Sequence, residues 1–305
     1  MVDAAETSAG DRLEGGLGLR DRAELLAERL PPLLVAAERV AATVAQGVHG
    51  RRRVGVGETF WQFRPYQAGD STALIDWRQS ARSSQLFLRD QEWEAAESVW
   101  LWADGSPSMD YRSAPGLPSK DDRALILTLA LASLLVRAGE RIALLGSGRR
   151  PAGGRAGMVS FCEQLLSRQA DGDNLPTGQQ LPHYARIVMV SDFFTDLEAL
   201  KARLRGFAGL GVRGHLLQVI DPAEEDLPFK GRVRFDDVEE GDRQALIGDV
   251  DSVRDRYRQR FLAHIDAVRD VGRSLGWTVA LHRTAKPPEP ALLGLYNALA
   301  DTVQG

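Results

Sequence analysis

An aspartate and two serines at alternate positions, Asp104-x-Ser106-x-Ser108, stand where the short apolar run Ser98–Ala103 stops. A hard divalent cation such as Mg²⁺ takes oxygen ligands and keeps several waters, so two hydroxyls beside a carboxylate suit it. A second carboxylate on a neighbouring strand end is required, and Asp192 follows the apolar run Arg186–Val190 closely. One more oxygen from an intervening loop would complete the set. Apart from Thr128, which falls inside a long helical pattern, Thr177 is the only threonine between the two aspartates. The expected metal ligands are therefore Asp104, Ser106, Ser108, Thr177 and Asp192, with Mg²⁺ (or Mn²⁺ or Ca²⁺) as the ion. The competing reading is that Asp and Ser serve there only as turn and cap residues.

Such a site needs strands that end side by side, and after Glu97 the chain has that rhythm. Ser98–Ala103, Arg141–Leu145, Arg186–Val190, Val212–Ile220 and Trp277–His282 read as strands. Between and after them, helical patterns cover Asp121–Arg137, Met158–Arg168, Asp196–Ala208, Val250–Leu275 and Pro290–Val303. Alternation of this kind predicts an α/β fold, a parallel sheet with helices on both faces. Ligands of open parallel sheets gather at the carboxyl ends of the strands, where both aspartates fall. A small hairpin is expected from Arg232–Phe235 and Gln244–Ile247, turning over Glu239–Asp242.

The first third differs. Residues 1–17 lack periodicity and read as a disordered tail. Apolar positions from Leu19 to Val48 recur at helical spacing, with Pro31-Pro32 expected to split them into two helices. Arg51 to Glu94 mixes aromatic, glycine and basic residues in short segments, the pattern of a small β-rich module with turns at Gly55–Gly57 and Ala68–Asp70 and a strand over Gln85–Arg89. The expected organisation is a tail (1–17), a helical segment with a small β-rich module (18–95), and the α/β domain (96–305).

With 305 residues, 44% hydrophobic and 26% charged, the chain has the make-up of a soluble globular protein. A formal charge of -4 gives no overall field for nucleic acid or lipid. No apolar run approaches the ~18 residues of a membrane span. Asp3, Glu6, Asp11 and Glu14 interrupt the stretch where a signal peptide would need its apolar core, so a cytoplasmic protein is expected. Cys162 is the only cysteine and reads as a core residue.

Other clusters carry weaker signals. Arg51–Arg53, Arg64, Arg78, Arg82 and Arg89 with Trp61, Phe63 and Tyr66 could bind a nucleic acid, but Asp70, Asp76, Asp90, Glu92 and Glu94 nearly balance them. The loop Gly146–Gly154 lacks the Lys-Ser/Thr ending of a phosphate-binding loop and reads as a flexible connection. His183, His215, His264 and His282 are scattered, and His282 reads as a surface residue. Asp221, Glu224, Glu225 and Asp226 read as a solvated acidic loop. A metal-dependent phosphoester hydrolase would need a base and a cation near the metal, for which Asp110 and Arg112 are the nearest in sequence.

One segment carries a resemblance. Gly55-x-Gly57-x-x-Phe60-x-x-x-Arg64-x-Tyr66-x-x-Gly69-Asp70 runs on into Ile75-Asp76-Trp77-Arg78-Gln79-Ser80-Ala81-Arg82. Together with Asp104, Ser106, Ser108 and Met109 it resembles the bacterial domain of unknown function family fifty-eight, closely over Arg51 to Asp110 and in element order beyond. The turn departs from many relatives, having Ser71-Thr72 after Gly69-Asp70 and lacking an arginine before Ile75-Asp76-Trp77. The resemblance implies a von Willebrand factor A-like (Rossmann-like) domain with a metal ion-dependent adhesion site at Asp104, Ser106, Ser108, a loop threonine and Asp192. It also implies a MoxR-type AAA+ ATPase, or another protein bearing an acidic ligand residue, as partner. The expected function is a non-enzymatic, metal-dependent protein–protein interaction in an adaptor or chaperone-like role.

Overall fold

The computed structural model describes residues 19–48, 60–65, 77–82, 86–91, 98–168, 174–183, 185–236 and 244–301. Five strands, β3 (Ser98–Ala103), β4 (Arg141–Leu144), β5 (Arg186–Ser191), β6 (Arg213–Ile220) and β9 (Thr278–Arg283), form one sheet in the order β4-β3-β5-β6-β9. All its pairings are parallel. Ahead of it come α1 (Leu19–Val48), β1 (Phe60–Pro65), α2 (Trp77–Ser80) and β2 (Phe87–Gln91), with β1 and β2 paired antiparallel. Within and after the sheet lie α3 (Lys120–Arg137), α4 (Gly154–Leu166), α5 (Leu197–Ala208), α6 (Pro222–Asp226), the hairpin β7 (Val233–Asp236) and β8 (Gln244–Ile247), α7 (Arg254–Ser274) and α8 (Glu289–Asp301).

Buried strands explain the near-continuous apolar runs, because successive side chains must satisfy opposite faces. Val99, Leu101, Ile142, Leu144, Val188, Val190, Leu217 and Val219 share one core with α1, α3, α4 and α8. Their neighbours Trp100, Ala143, Ile187, Met189 and Leu216 join a second core with Leu200, Leu204 and Phe207 of α5 and Val268 of α7. α3 lies so deep that most of its length is buried, from Ala124 to Leu135.

Pro31-Pro32 does not split the first helix, contrary to the expectation: α1 runs unbroken through both. The prolines remove donors to the carbonyls of Ala27 and Glu28 but leave the helical register intact. Beyond them Leu33, Ala37, Val40, Ala41 and Val44 stay in phase and pack against α3 and α8. Glu38 adds a polar clasp, accepting from Ser133 Oγ at 2.6 Å and pairing with Arg137. Most of the glycine- and arginine-rich segment 51–85 lies outside the described residues, including Arg51–Arg53, Gly55–Gly57, Tyr66 and Gly69-Asp70, as do the 1–17 tail and the Glu239–Asp242 turn.

The strand order carries the functional consequence. From β3 the chain passes to β4 on one side, then β5 returns to the other side of β3. The connections therefore diverge at the carboxyl ends of β3 and β5, opening a crevice where they part. Asp104 follows β3 and Asp192 follows β5.

Candidate metal centre

The loop after β3 is shaped by its own sequence. Asp104 N donates to Val190 O at 2.9 Å, extending the ladder by one step. Ser106 precedes a short 3-10 turn, Pro107–Asp110, in which Pro107 supplies the preset backbone angle that suits a first helical position. Met109 is fully buried and pins that turn to the core. Asp104 Oδ1 accepts from Ser106 N at 2.8 Å, and its Oδ2 accepts from Ser191 Oγ at 2.6 Å.

From there a chain of oxygens crosses to the other strand end. Ser106 Oγ lies 3.1 Å from Ser108 Oγ, and Ser108 Oγ donates to Asp192 Oδ2 at 2.9 Å. Asp192 is fixed in turn: its Oδ1 accepts from Phe194 N at 3.0 Å and its carbonyl from Gln218 Nε2 at 2.8 Å. The next residue, Phe193, holds left-handed backbone (φ 53°), which is uncommon for a bulky side chain. It is held there by a buried ring, by a 2.8 Å bond from its N–H to Ser191 Oγ, and by His264 Nε2 donating to its carbonyl at 2.8 Å.

Four of the five expected ligands are thus brought together from segments 84 residues apart. Thr177 is not among them. It is exposed, and no hydrogen bond joins it to the cluster among the described residues. It lines a cavity of about 280 Å³ beside the cluster, at the ends of β3 and β4, which Asp104, Gly105, Ser147 and Arg168 also border but Ser106, Ser108 and Asp192 do not. Asp110 and Arg112 are exposed.

Electrostatics distinguish the two aspartates. Burial pushes Asp104 up to about 6, and the charge of Asp192 adds to this, against hydrogen bonds from Ser191 and Ser106 that pull it down. Asp192 instead meets a cation that sequence reasoning did not single out. Lys120 Nζ, on a side chain 1% exposed, donates to Asp192 Oδ2 at 2.7 Å and to Glu224 Oε1. It also faces the rings of Phe194 and Tyr111, 5.2 and 5.9 Å from their centroids. Burial pulls the Lys120 ammonium down, but Asp192 and Glu224 more than reverse this, so the lysine stays charged. Glu224 shares that one ammonium, and its burial holds it above the usual carboxylate range.

The signal for Lys120 was its position. A lysine opening a helix sits against the helix dipole, so some other group must hold it there. Asp221 and Glu224 correct the expectation of a solvated acidic loop. Asp221 is fully buried, caps α6 through Ala223 N at 2.8 Å and accepts from Ser113 N at 3.0 Å. Glu225 pairs with Arg283 in a two-pronged contact at 2.6 and 2.7 Å. His282 is buried, not on the surface as expected, because its strand packs against α8 and the Arg123 guanidinium of α3 lies near it. Cys162 is a core residue whose thiol burial pushes up to about 11, so it is unreactive.

Among the described residues no three His, Cys, Asp or Glu side chains are grouped for a metal. The cluster's donors are two carboxylates and two hydroxyls, all hard oxygens, and this chemistry fits a cation such as Mg²⁺. Asp104, buried and raised, would gain most from nearby positive charge. No described helix is long and apolar enough to cross a membrane.

The chain is 28% identical over 218 residues to the uncharacterized protein Rv1480 of Mycobacterium tuberculosis, and equally to the uncharacterized protein Mb1516 of Mycobacterium bovis. These alignments cover 65% of this chain and 66% of the relatives, so the chain spans just under two thirds of their length. Among solved structures it is similar to the conserved hypothetical protein BatB from Bacteroides thetaiotaomicron, with a TM-score of 0.41 and 15% identity over 69% of this chain and 100% of that one. An aerotolerance-related membrane protein from Bacteroides fragilis gives a TM-score of 0.35 and 13% identity over 68% of this chain and all of the other. The family profile that matches spans residues 62–267, from β1 into α7 and across both aspartates, and the chain belongs to that family, described as protein of unknown function DUF58.

Proposed function

We propose that this chain is a protein-binding module with a von Willebrand factor A-like α/β domain, whose partner docks through a divalent cation at the crevice between β3 and β5. The observation that carries the reading is the continuous set of oxygens from Ser106 through Ser108 to Asp192, with Asp104 beside it. Ser106 and Ser108 would hold the ion through their hydroxyls. Asp104 and Asp192 would orient its waters, and Thr177, which lines the neighbouring cavity that Asp104 also borders, would have to move in from its loop. A hard cation in such a donor set supplies an open coordination position for a carboxylate oxygen of the partner.

The chain's own residues do the rest. Ser191 and the Ser106 N–H fix both oxygens of Asp104, and Gln218 and Phe194 fix Asp192, so the donors are preorganised before a partner arrives. A module of this kind needs no general base, and Asp110 and Arg112 lend the hydrolase alternative no support. The partner class we propose is a MoxR-type AAA+ ATPase presenting an Asp or Glu side chain. The test is calorimetric titration of Mg²⁺ and Mn²⁺ into wild type and Ser106→Ala, with and without a MoxR-type AAA+ ATPase. Association that needs the cation and disappears in Ser106→Ala supports the reading; association unaltered by a chelator refutes it.

A further inference from the structure

The ammonium of Lys120 lies against the same oxygen, Asp192 Oδ2, that accepts from Ser108 Oγ. Its other carboxylate contact, Glu224, sits on α6 and is itself tied down, its Oε2 accepting from Asp221 N at 2.8 Å. Two carboxylates and two aromatic rings therefore enclose one positive charge almost out of water. A buried lysine placed only to stabilise the fold would be an unfavourable choice, because desolvating an ion pair often costs as much as the pair returns. Its location, at the edge of the oxygen cluster, gives it a different use.

We propose that Lys120 is the resident cation of this site, neutralising Asp192 in the unloaded protein and competing with a divalent ion for that carboxylate. This rests on the reading of the cluster as a cation site. The competition is local. An incoming ion meets a carboxylate already engaged by Lys120, and a positive charge that the Glu224 contact holds in place. Loading is consequently weak in the isolated chain and strengthens when an anionic group from a partner adds negative charge at the crevice.

Two variants test this. Lys120→Met keeps the length of the stem and removes the charge. The double variant Lys120→Met/Glu224→Gln removes one charge of each sign, so its net charge equals that of wild type while Asp192 still loses its ammonium. Mg²⁺ binding is measured by calorimetry, and the rise in Tm on adding Mg²⁺ by thermal denaturation. The expected result is at least tenfold tighter binding in both variants (about 1.4 kcal/mol), with a larger Mg²⁺-induced rise in Tm than in wild type. A lysine with a structural role alone would lower Tm in the variants without changing Mg²⁺ affinity, and that result overturns the proposal. Tightening in the single variant but not in the double also overturns it, since it would reflect net charge and not the contact at Asp192. If Lys120→Met does not fold, the double variant decides alone. Wild type that binds Mg²⁺ with affinity equal to the variants removes the proposal and leaves the cation site standing. Failure of all three proteins to bind millimolar Mg²⁺ removes both.

Discussion

Asp104→Asn removes an electrostatic burden that the fold carries at neutral pH. Burial and Asp192 raise the Asp104 carboxyl from an ordinary 3.8 to about 6. The folded protein therefore binds this proton more tightly than the unfolded chain does. The stability gained from the protonated carboxyl is fully present below about pH 4 and lost as pH rises through about 6. At 1.36 kcal/mol per pKa unit, the ionised group costs about 3 kcal/mol at pH 8 relative to the protonated one. Asparagine keeps the shape and the acceptor for Ser106 N, but it turns an NH₂ toward Ser191 Oγ, which already accepts from Phe193 N. That mismatch costs roughly 1 kcal/mol. The variant should thus be more stable than wild type at pH 8 by about 2 kcal/mol, and the advantage should shrink by about 1.5 kcal/mol on going to pH 5. Urea denaturation of both proteins across this range measures it, and taking the difference between them cancels the titrating groups that do not interact with Asp104. Parallel stability profiles for the two proteins would refute the assignment of a raised carboxyl at this position.

The remaining expectations concern separate parts of the molecule. Gly214→Ala in β6 should destabilise by about 3 kcal/mol or prevent folding, because a Cβ there would lie 1.9 Å from the Trp277 ring; a Tm within a degree or two of wild type would refute the packing. His215 is held neutral, lowered to about 4 by burial and then by Arg186, so its contribution is present above pH 6.5 and lost as pH falls toward 4. His215→Gln should therefore flatten the acid limb of the stability profile by up to about 3 kcal/mol, read by denaturant titration between pH 7 and 4.5. Ser108→Ala removes one link of the oxygen chain and should cost roughly 1 kcal/mol in stability, while abolishing cation-dependent partner binding in a pull-down; retained binding would exclude the hydroxyl as a donor.

The fold was legible where the pattern of the chain and the pattern of burial coincide. Val188 and Val190 face one core, Ile187 and Met189 the other, so a strand covered on both sides has to read as an unbroken apolar run. Short elements were not legible. α6 is five residues long and shows in sequence only as Pro222 before a cluster of acids, a composition that a solvated loop shares. Its capping box, Asp221 with Glu224, needs the partner geometry to be told from chance. The double proline misled for a related reason: local chemistry argues for a break, while the buried stripe from Leu33 to Val44 that carries the helix onward draws its stability from α3 and α8, far along the chain.

For the site, the residues that point at each other from strand ends were legible and the charge that governs them was not. Asp104 and Asp192 could be paired because open parallel sheets bring strand ends together at the point where the order reverses. Lys120 reaches Asp192 from a helix start 72 residues away, and Glu224 meets it from a third segment 104 residues from the lysine. Such a three-way contact leaves no spacing signature in one sequence. This omission matters for function. From the ligand list alone the crevice reads as a negative pocket open to any divalent ion. With Lys120 in it, the same crevice is partly neutralised at Asp192, whereas the Asp104 carboxylate, held by Ser191 and the Ser106 N–H with no cation on its oxygens, keeps a net burial cost. Under the proposed reading, a site so divided would favour an ion that arrives with its own anionic ligand over one that arrives alone.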